Sequence, residues 1–216
     1  MVLKIIDVVR LLEQQYGNSD WWPAETQFEV AVGAILTQRT SWRNAKLAIE
    51  ALREKKMLTP RELLNTSCAE IEKVIRPSGF YKQKANYLIE FASYVELKYG
   101  GDISSMSRRS PEVLRQELIQ LRGIGPETAD AILLYALAFP SFVVDAYTTR
   151  VLRRLGLNAG ETYDAIKANF ESALGNDHAR LANAHALMVV HCQKRCRPSP
   201  ICVGCIFTDL CISKTE

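Results

Sequence analysis

The run Leu121-Arg122-Gly123-Ile124-Gly125-Pro126-Glu127-Thr128-Ala129-Asp130 constrains this chain more than any other stretch, because it turns one helical segment into the next within a few residues. Ser110 and Pro111 mark the start of the preceding helix as N-cap and first-turn proline. Gly123 and Gly125 can take positive φ and carry no Cβ, so the backbone N–H groups of the turn can be presented to an external acceptor. The unpaired N–H groups and positive dipole end of the following helix face the same acceptor, which makes a phosphate oxygen the natural ligand. The expected geometry is helix, hairpin, helix. A helix pair whose glycine loop binds nothing would read the same way. Beyond the hairpin an amphipathic helix leads to Phe142-Val143-Val144-Asp145, an apolar run that ends in a lone carboxylate.

The remainder of the chain keeps the helical period, with few alternating β-branched runs, which predicts an all-α protein. Glycine and proline divide it into roughly ten helices. Thr59-Pro60-Arg61-Glu62 and Ser67-Cys68-Ala69-Glu70 fit the capping box. The 216 residues, 48% hydrophobic, are enough for one large or two small compact domains. Met1 to Gly17 mixes Leu3, Ile6, Val9 and Leu12 with Lys4, Asp7, Arg10 and Glu13, a helical pattern and not the apolar core of a signal peptide. No run reaches membrane-spanning length, so the expected location is the cytoplasm. A net charge of +3 permits a nucleic-acid partner without demanding one. The local basic clusters, such as Arg108-Arg109 and Lys194-Arg195 with Arg197, each read equally well as a solvated face.

Five of the six cysteines fall between Cys192 and Cys211, which in a reducing compartment points to a metal and not to disulfides. Cys196, Cys202, Cys205 and Cys211 have five, two and five residues between them, so four thiolates can converge from one loop. Such a set suits a [4Fe-4S] cluster or a structural zinc. Cys192, one helical turn before Cys196, is a rival ligand, and Cys68 reads as a small buried residue at a helix start.

Hairpin, Asp145 and cysteine loop together resemble the helix-hairpin-helix DNA glycosylase superfamily, of which endonuclease III is the best known branch, from about Trp22 to Cys211. The resemblance implies a two-domain all-α fold. Residues 21–138 would form a helical barrel ending in the hairpin, and residues 1–20 with 139–216 a second helical domain carrying the iron–sulfur loop, with DNA bound across the cleft between them. It implies that Gly123 and Gly125 grip DNA phosphates and that Asp145 is the catalytic carboxylate. Cys196, Cys202, Cys205 and Cys211 would hold a [4Fe-4S] cluster, although the first interval is one residue shorter than the usual six, and Lys194, Arg195 and Arg197 would contact the DNA backbone. Bifunctional members attack the sugar with a lysine at the position of Glu127. A carboxylate cannot form that imine, so the resemblance implies a hydrolytic, monofunctional enzyme with Glu127 beside the base pocket.

Trp21-Trp22-Pro23, the stretch Gly33-Ala34-Ile35-Leu36-Thr37-Gln38-Arg39-Thr40-Ser41-Trp42 and Arg76-Pro77-Ser78-Gly79-Phe80-Tyr81 resemble the 3-methyladenine DNA glycosylase branch. In that branch Trp22 and Trp42 would sandwich the flipped base, while Gln38 and Phe80 would fill the space it leaves in the duplex. That branch usually lacks a metal cluster, so this chain combines features of two groups. A purine alkylated at N3 or N7 is cationic, leaves as a neutral molecule, and is favoured by aromatic faces. The expected partner is double-stranded DNA containing a damaged base, met by a monomer. The competing readings are an endonuclease III-like glycosylase and abasic-site lyase acting on oxidised, deaminated or mismatched bases, and a non-catalytic DNA-lesion binder. His178, His185 and His191 read as satisfied structural histidines and not ligands, and Tyr81, Tyr135 and Tyr147 as packing residues.

Overall fold

The computed structural model describes residues 3–19 and 24–214. Every regular element among these residues is helical: α1 (Ile5–Tyr16), α2 (Gln27–Leu36), α3 (Trp42–Glu54), α4 (Pro60–Leu64), α5 (Cys68–Val74), α6 (Tyr81–Tyr99), α7 (Pro111–Ile119), α8 (Pro126–Ala131), α9 (Ala146–Leu155), α10 (Tyr163–Leu174) and α11 (His178–Lys194). Short 3₁₀ turns cover Arg76–Ser78 and Ile103–Arg108. None of the described helices is long and apolar enough to cross a membrane.

The helix starts follow from side-chain caps. Thr26, Ser41, Thr59, Ser67, Ser110, Asp145, Thr162 and Asp177 each accept a hydrogen bond from the backbone N–H three residues on, satisfying one of the donors that a helix start leaves unpaired. At Thr59 the carboxylate of Glu62 accepts from the threonine hydroxyl itself at 2.8 Å, so the acid steadies the cap side chain instead of closing the expected reciprocal box on the backbone. Cys68 is half-buried and not enclosed, because it sits one residue inside the cap, where α5 faces outward.

The chain divides into two compact units, residues 24–139 and residues 1–23 with 140–216. In the first, α2 is the central helix: every residue from Phe28 to Leu36 is buried, the all-round apolar pattern of a helix enclosed by others. It packs against α3, α6, α8 and the segment after α8, and the Phe28 and Phe91 rings stack at 5.8 Å. Its one buried acid, Glu29, pairs with Arg53 of α3, as an enclosed carboxylate requires. The second hairpin helix is shorter than the apolar pattern suggests. After Ala131 the backbone shifts to a π-helical turn over Ile132–Ala136, a local widening that often accompanies functional sites.

In the other unit, α1 packs on α10 and α11, and α11 packs on α9. Val8, Val9 and Leu12 of α1 are fully buried, as are Leu181, Ala184 and Leu187 of α11. Phe142 and Phe170 stack with ring centroids 3.9 Å apart. The extended segment before α9 is held by main-chain donors: Phe142 N–H to the Glu171 carboxylate at 2.9 Å and Val144 N–H to the Tyr163 hydroxyl at 3.4 Å.

Candidate active site and cysteine loop

In the unit of residues 24–139, α7 and α8 meet at the glycine turn and are locked together by a two-pronged ion pair. Arg115 Nε and Nη2 reach the two oxygens of Asp130 at 2.9 and 3.1 Å, and Asp130 is wholly buried. Paired guanidinium and carboxylate fix both distance and orientation. Gly123 takes φ +83°, and a Cβ there would lie 2.3 Å from the Tyr87 ring, so both conformation and space exclude a side chain. Gly125 departs from the expectation of positive φ. It is extended, with φ −89° and ψ 179°, and caps α8; its contribution is the missing Cβ, since nothing lies within 4 Å of where one would be. The turn therefore presents open backbone at the positive end of α8.

Gln38, just beyond α2, is tied onto this hairpin. Its Nε2 donates to the Gly123 carbonyl at 2.7 Å and to the Thr128 hydroxyl at 2.9 Å. Glu127 is exposed in the first turn of α8, where a carboxylate complements the helix dipole. Trp42 is the half-buried first residue of α3, capped by Ser41. Phe80 is 53% exposed and left-handed, with φ 46° and ψ 30°; the Arg39 guanidinium lies 5.8 Å from its ring centroid. Trp22 lies outside the described residues, as does Trp21.

In the other unit, Asp145 caps α9. The Thr148 N–H donates to Asp145 Oδ1 at 2.8 Å, and Nε2 of His185, on α11, lies 3.5 Å from Oδ2. The Asp145 side chain is 13% exposed. Burial on its own would raise the carboxyl pKa, but the His185 imidazole and the Thr148 N–H outweigh it, and the group is held below the ordinary aspartate value. The result is a recessed carboxylate, ionised and oriented at both oxygens. His185 also meets the Phe142 ring edge to face at 6.2 Å. From the sequence His185 reads as a satisfied structural histidine, and no local spacing links it to Asp145, because the two are brought together by the packing of α11 on α9.

The four loop cysteines Cys196, Cys202, Cys205 and Cys211 are all half-buried and line one largely apolar cavity together with His191 and Phe207. Among the described residues no three His, Cys, Asp or Glu side chains converge as they would on a single metal ion. Cys192 is buried on α11, does not line that cavity, and points its thiol to the Tyr147 carbonyl at 3.6 Å. Hydrogen bonding to Cys192 draws the Cys196 thiol well below its usual pKa, with His191 and Arg154 acting in the same direction.

Arg154, on α9, organises the loop: its guanidinium reaches Cys196 Sγ at 3.1 Å and the carbonyls of Arg197 and Pro198 at 2.7 and 3.0 Å. Its own carbonyl accepts from the Cys211 thiol at 3.2 Å and the Ile212 N–H at 3.0 Å. Of the three loop cations read from sequence, Lys194 is exposed with Nζ 5.2 Å from the Tyr16 ring centroid. Arg195 is half-buried and donates to the Val203 carbonyl at 2.9 Å; Arg197 is exposed and donates to the Gln193 carbonyl at 2.8 Å. Both arginines thus brace the loop with part of the guanidinium.

Residues 32–175 match the HhH-GPD superfamily of base excision DNA repair proteins. The chain is 43% identical, over 97% of its own length and 96% of the relative's, to a Methanocaldococcus jannaschii protein provisionally named DNA repair glycosylase MJ1434. It is 30% identical to endonuclease III of Thermotoga maritima, over 85% of this chain and 82% of that one. The crystal structure of Helicobacter pylori 3-methyladenine DNA glycosylase bound to 1,N6-ethenoadenine superposes with a TM-score of 0.79 at 26% identity, covering 89% of this chain and 98% of that one. With a glycine hairpin presenting open backbone and an oriented, ionised aspartate after an apolar run, the chain belongs to this superfamily and is a base excision repair DNA glycosylase.

Proposed function

We propose that this glycosylase is monofunctional and removes alkylated purines, with 3-methyladenine as the type lesion, by hydrolysis of the N-glycosidic bond. What carries the reading is an ionised, two-point-held Asp145, together with the fact that position 127, where a lyase needs an amine, is a glutamate. The glycosidic bond breaks with its electron pair leaving on the base. The Asp145 carboxylate stabilises the oxocarbenium-like sugar and accepts a proton from the water that adds to the anomeric carbon, leaving an abasic site. A base alkylated on a ring nitrogen departs neutral and needs little acid assistance, which suits an enzyme whose assigned catalytic group is an ionised carboxylate. The target must be swung out of the stack to be reached. Trp22 and Trp42 clasp it, and Gln38 and Phe80 enter the space it leaves. The H. pylori relative, named for 3-methyladenine and solved with an ethenoadenine bound, supports this substrate class.

The backbone of the hairpin at Gly123 and Gly125, with Lys194, Arg195 and Arg197, holds the phosphates of double-stranded DNA. Cys196, Cys202, Cys205 and Cys211 hold a [4Fe-4S] cluster in a positioning role. Four thiols around one cavity, with Arg154 against Cys196 to offset thiolate charge, fit that group. The protein acts as a monomer in the cytoplasm. A second reading, an endonuclease III-like enzyme for oxidised, deaminated or mismatched bases, is favoured by the T. maritima relative.

Duplexes each carrying one lesion (7-methylguanine, 1,N6-ethenoadenine, hypoxanthine, uracil, thymine glycol or a G·T mismatch), incubated with enzyme and then treated with alkali, separate the two. Release confined to 7-methylguanine and 1,N6-ethenoadenine supports the alkylpurine reading. Release confined to the deaminated, oxidised or mismatched bases contradicts it.

A further inference from the structure

A buried lysine links the turn that carries Gln38 to the turn that carries Phe80. Lys84 of α6 is 2% exposed, and its ammonium donates to the Leu36 carbonyl at 2.9 Å and to the Ser78 carbonyl at 2.7 Å. Leu36 is the last residue of α2, two before Gln38, and Ser78 lies two before Phe80. Both turns are strained. Arg39 takes φ 51° and Phe80 φ 46°, left-handed conformations that bulky side chains keep only where their surroundings over-determine them. The strain leaves the Phe80 ring standing out into solvent with the Arg39 guanidinium near its face. Withdrawing an ammonium from water is strongly unfavourable, and an apolar side chain would fill the same space. What the ammonium adds is a fixed spacing between carbonyls of two separate turns.

We infer that Lys84 is a positioning residue for duplex insertion: by clamping the Leu36 and Ser78 carbonyls it holds the Phe80 ring beside the Gln38 turn in the geometry that enters the space of the flipped nucleotide. The inference rests on the proposed insertion roles of Phe80 and Gln38.

The test uses the full chain and a duplex with a tetrahydrofuran abasic analogue opposite 2-aminopurine, so no particular lesion is assumed. Insertion beside the orphaned 2-aminopurine changes its fluorescence at saturating wild-type protein, and Phe80→Ala removes that change. Lys84→Met is expected to stay folded by thermal melting, to bind this duplex about tenfold more weakly, to lose most of the fluorescence change, and to bind a single strand carrying the same analogue as the wild type does. In a Phe80→Ala background, Lys84→Met should weaken binding of this duplex no further, a non-additivity in affinity that a general support of the core would not give. If Lys84→Met matches the wild-type signal while Phe80→Ala loses it, the Lys84 inference falls and the insertion reading stands. If Phe80→Ala and Gln38→Ala both keep the wild-type signal, the insertion reading falls and the inference with it. Should Lys84→Met unfold, Lys84→Gln, which keeps a donor, carries the test. Unfolding of both would make Lys84 a support of the whole unit and overturn the proposal.

Discussion

Replacing His185 by leucine removes the imidazole 3.5 Å from Asp145 Oδ2 while keeping bulk against the Phe142 ring. Burial then acts on the carboxylate with Thr148, through its N–H and its side chain, left to oppose it. The imidazole lies 3.5 Å from the carboxylate, longer than an ordinary hydrogen bond, so its favourable effect on the ionised form is about 1 kcal/mol or less. Losing the imidazole should therefore raise the carboxyl pKa, because burial is then less opposed. In the wild type the folded pKa lies below the unfolded value, so the stability and activity tied to the ionised form are present above the ordinary aspartate range. They are lost only as pH falls through the lowered folded value. Wild-type base release should therefore show no acidic limb from Asp145 between neutral pH and about pH 5, because an ordinary aspartate titrates near 3.9. In His185→Leu the limb moves upward, and the variant-to-wild-type ratio of single-turnover rates should fall as the pH is lowered from about 7 into the ordinary aspartate range near 4. The assay is base release from a lesion duplex at saturating enzyme, with thermal melting to confirm that the variant is folded. A ratio that stays constant across that range would refute the reasoning and reduce His185 to packing.

Asp145→Asn should retain the helix cap, because asparagine caps as well as aspartate, and so melt near the wild type while base release falls by about a hundredfold or more; unchanged release with unchanged binding would favour a non-catalytic lesion binder. Gly123→Ala should lower stability by about 2 kcal/mol or more, from the left-handed φ and the collision with Tyr87, measured by chemical denaturation. Gly125→Ala should change stability by less than about 0.5 kcal/mol but weaken salt-sensitive DNA binding, since its backbone is extended and its Cβ meets open space. Protein purified anaerobically should contain iron and sulfide. Arg154→Met should lose both by removing the guanidinium that holds Cys196 and two loop carbonyls, whereas zinc without iron would rule out the cluster.

The features legible in the sequence are those whose cause is local. Caps at Thr59, Ser67 and Ser110 announce themselves by side-chain type one position before a helix, and the hairpin by two glycines whose neighbours cannot continue a helix. The π turn over Ile132–Ala136 was not legible, because an apolar run satisfies either helical register. Nor was the difference between Gly123 and Gly125, which is set by the Tyr87 ring arriving from α6. The same limit hides the supporting residues. His185 and Asp145 are forty positions apart, Arg154 reaches the cysteine loop from another helix, and Lys84 joins two turns by its length alone. Each acts through packing between elements, and none sits in a pattern of its own.

The most direct test of hydrolysis guided by Asp145 without an amine at position 127 is product analysis on a lesion duplex with borohydride present. The account predicts released base, an intact strand that breaks only after alkali, and no enzyme–DNA adduct. A trapped adduct together with strand cleavage before alkali would contradict it.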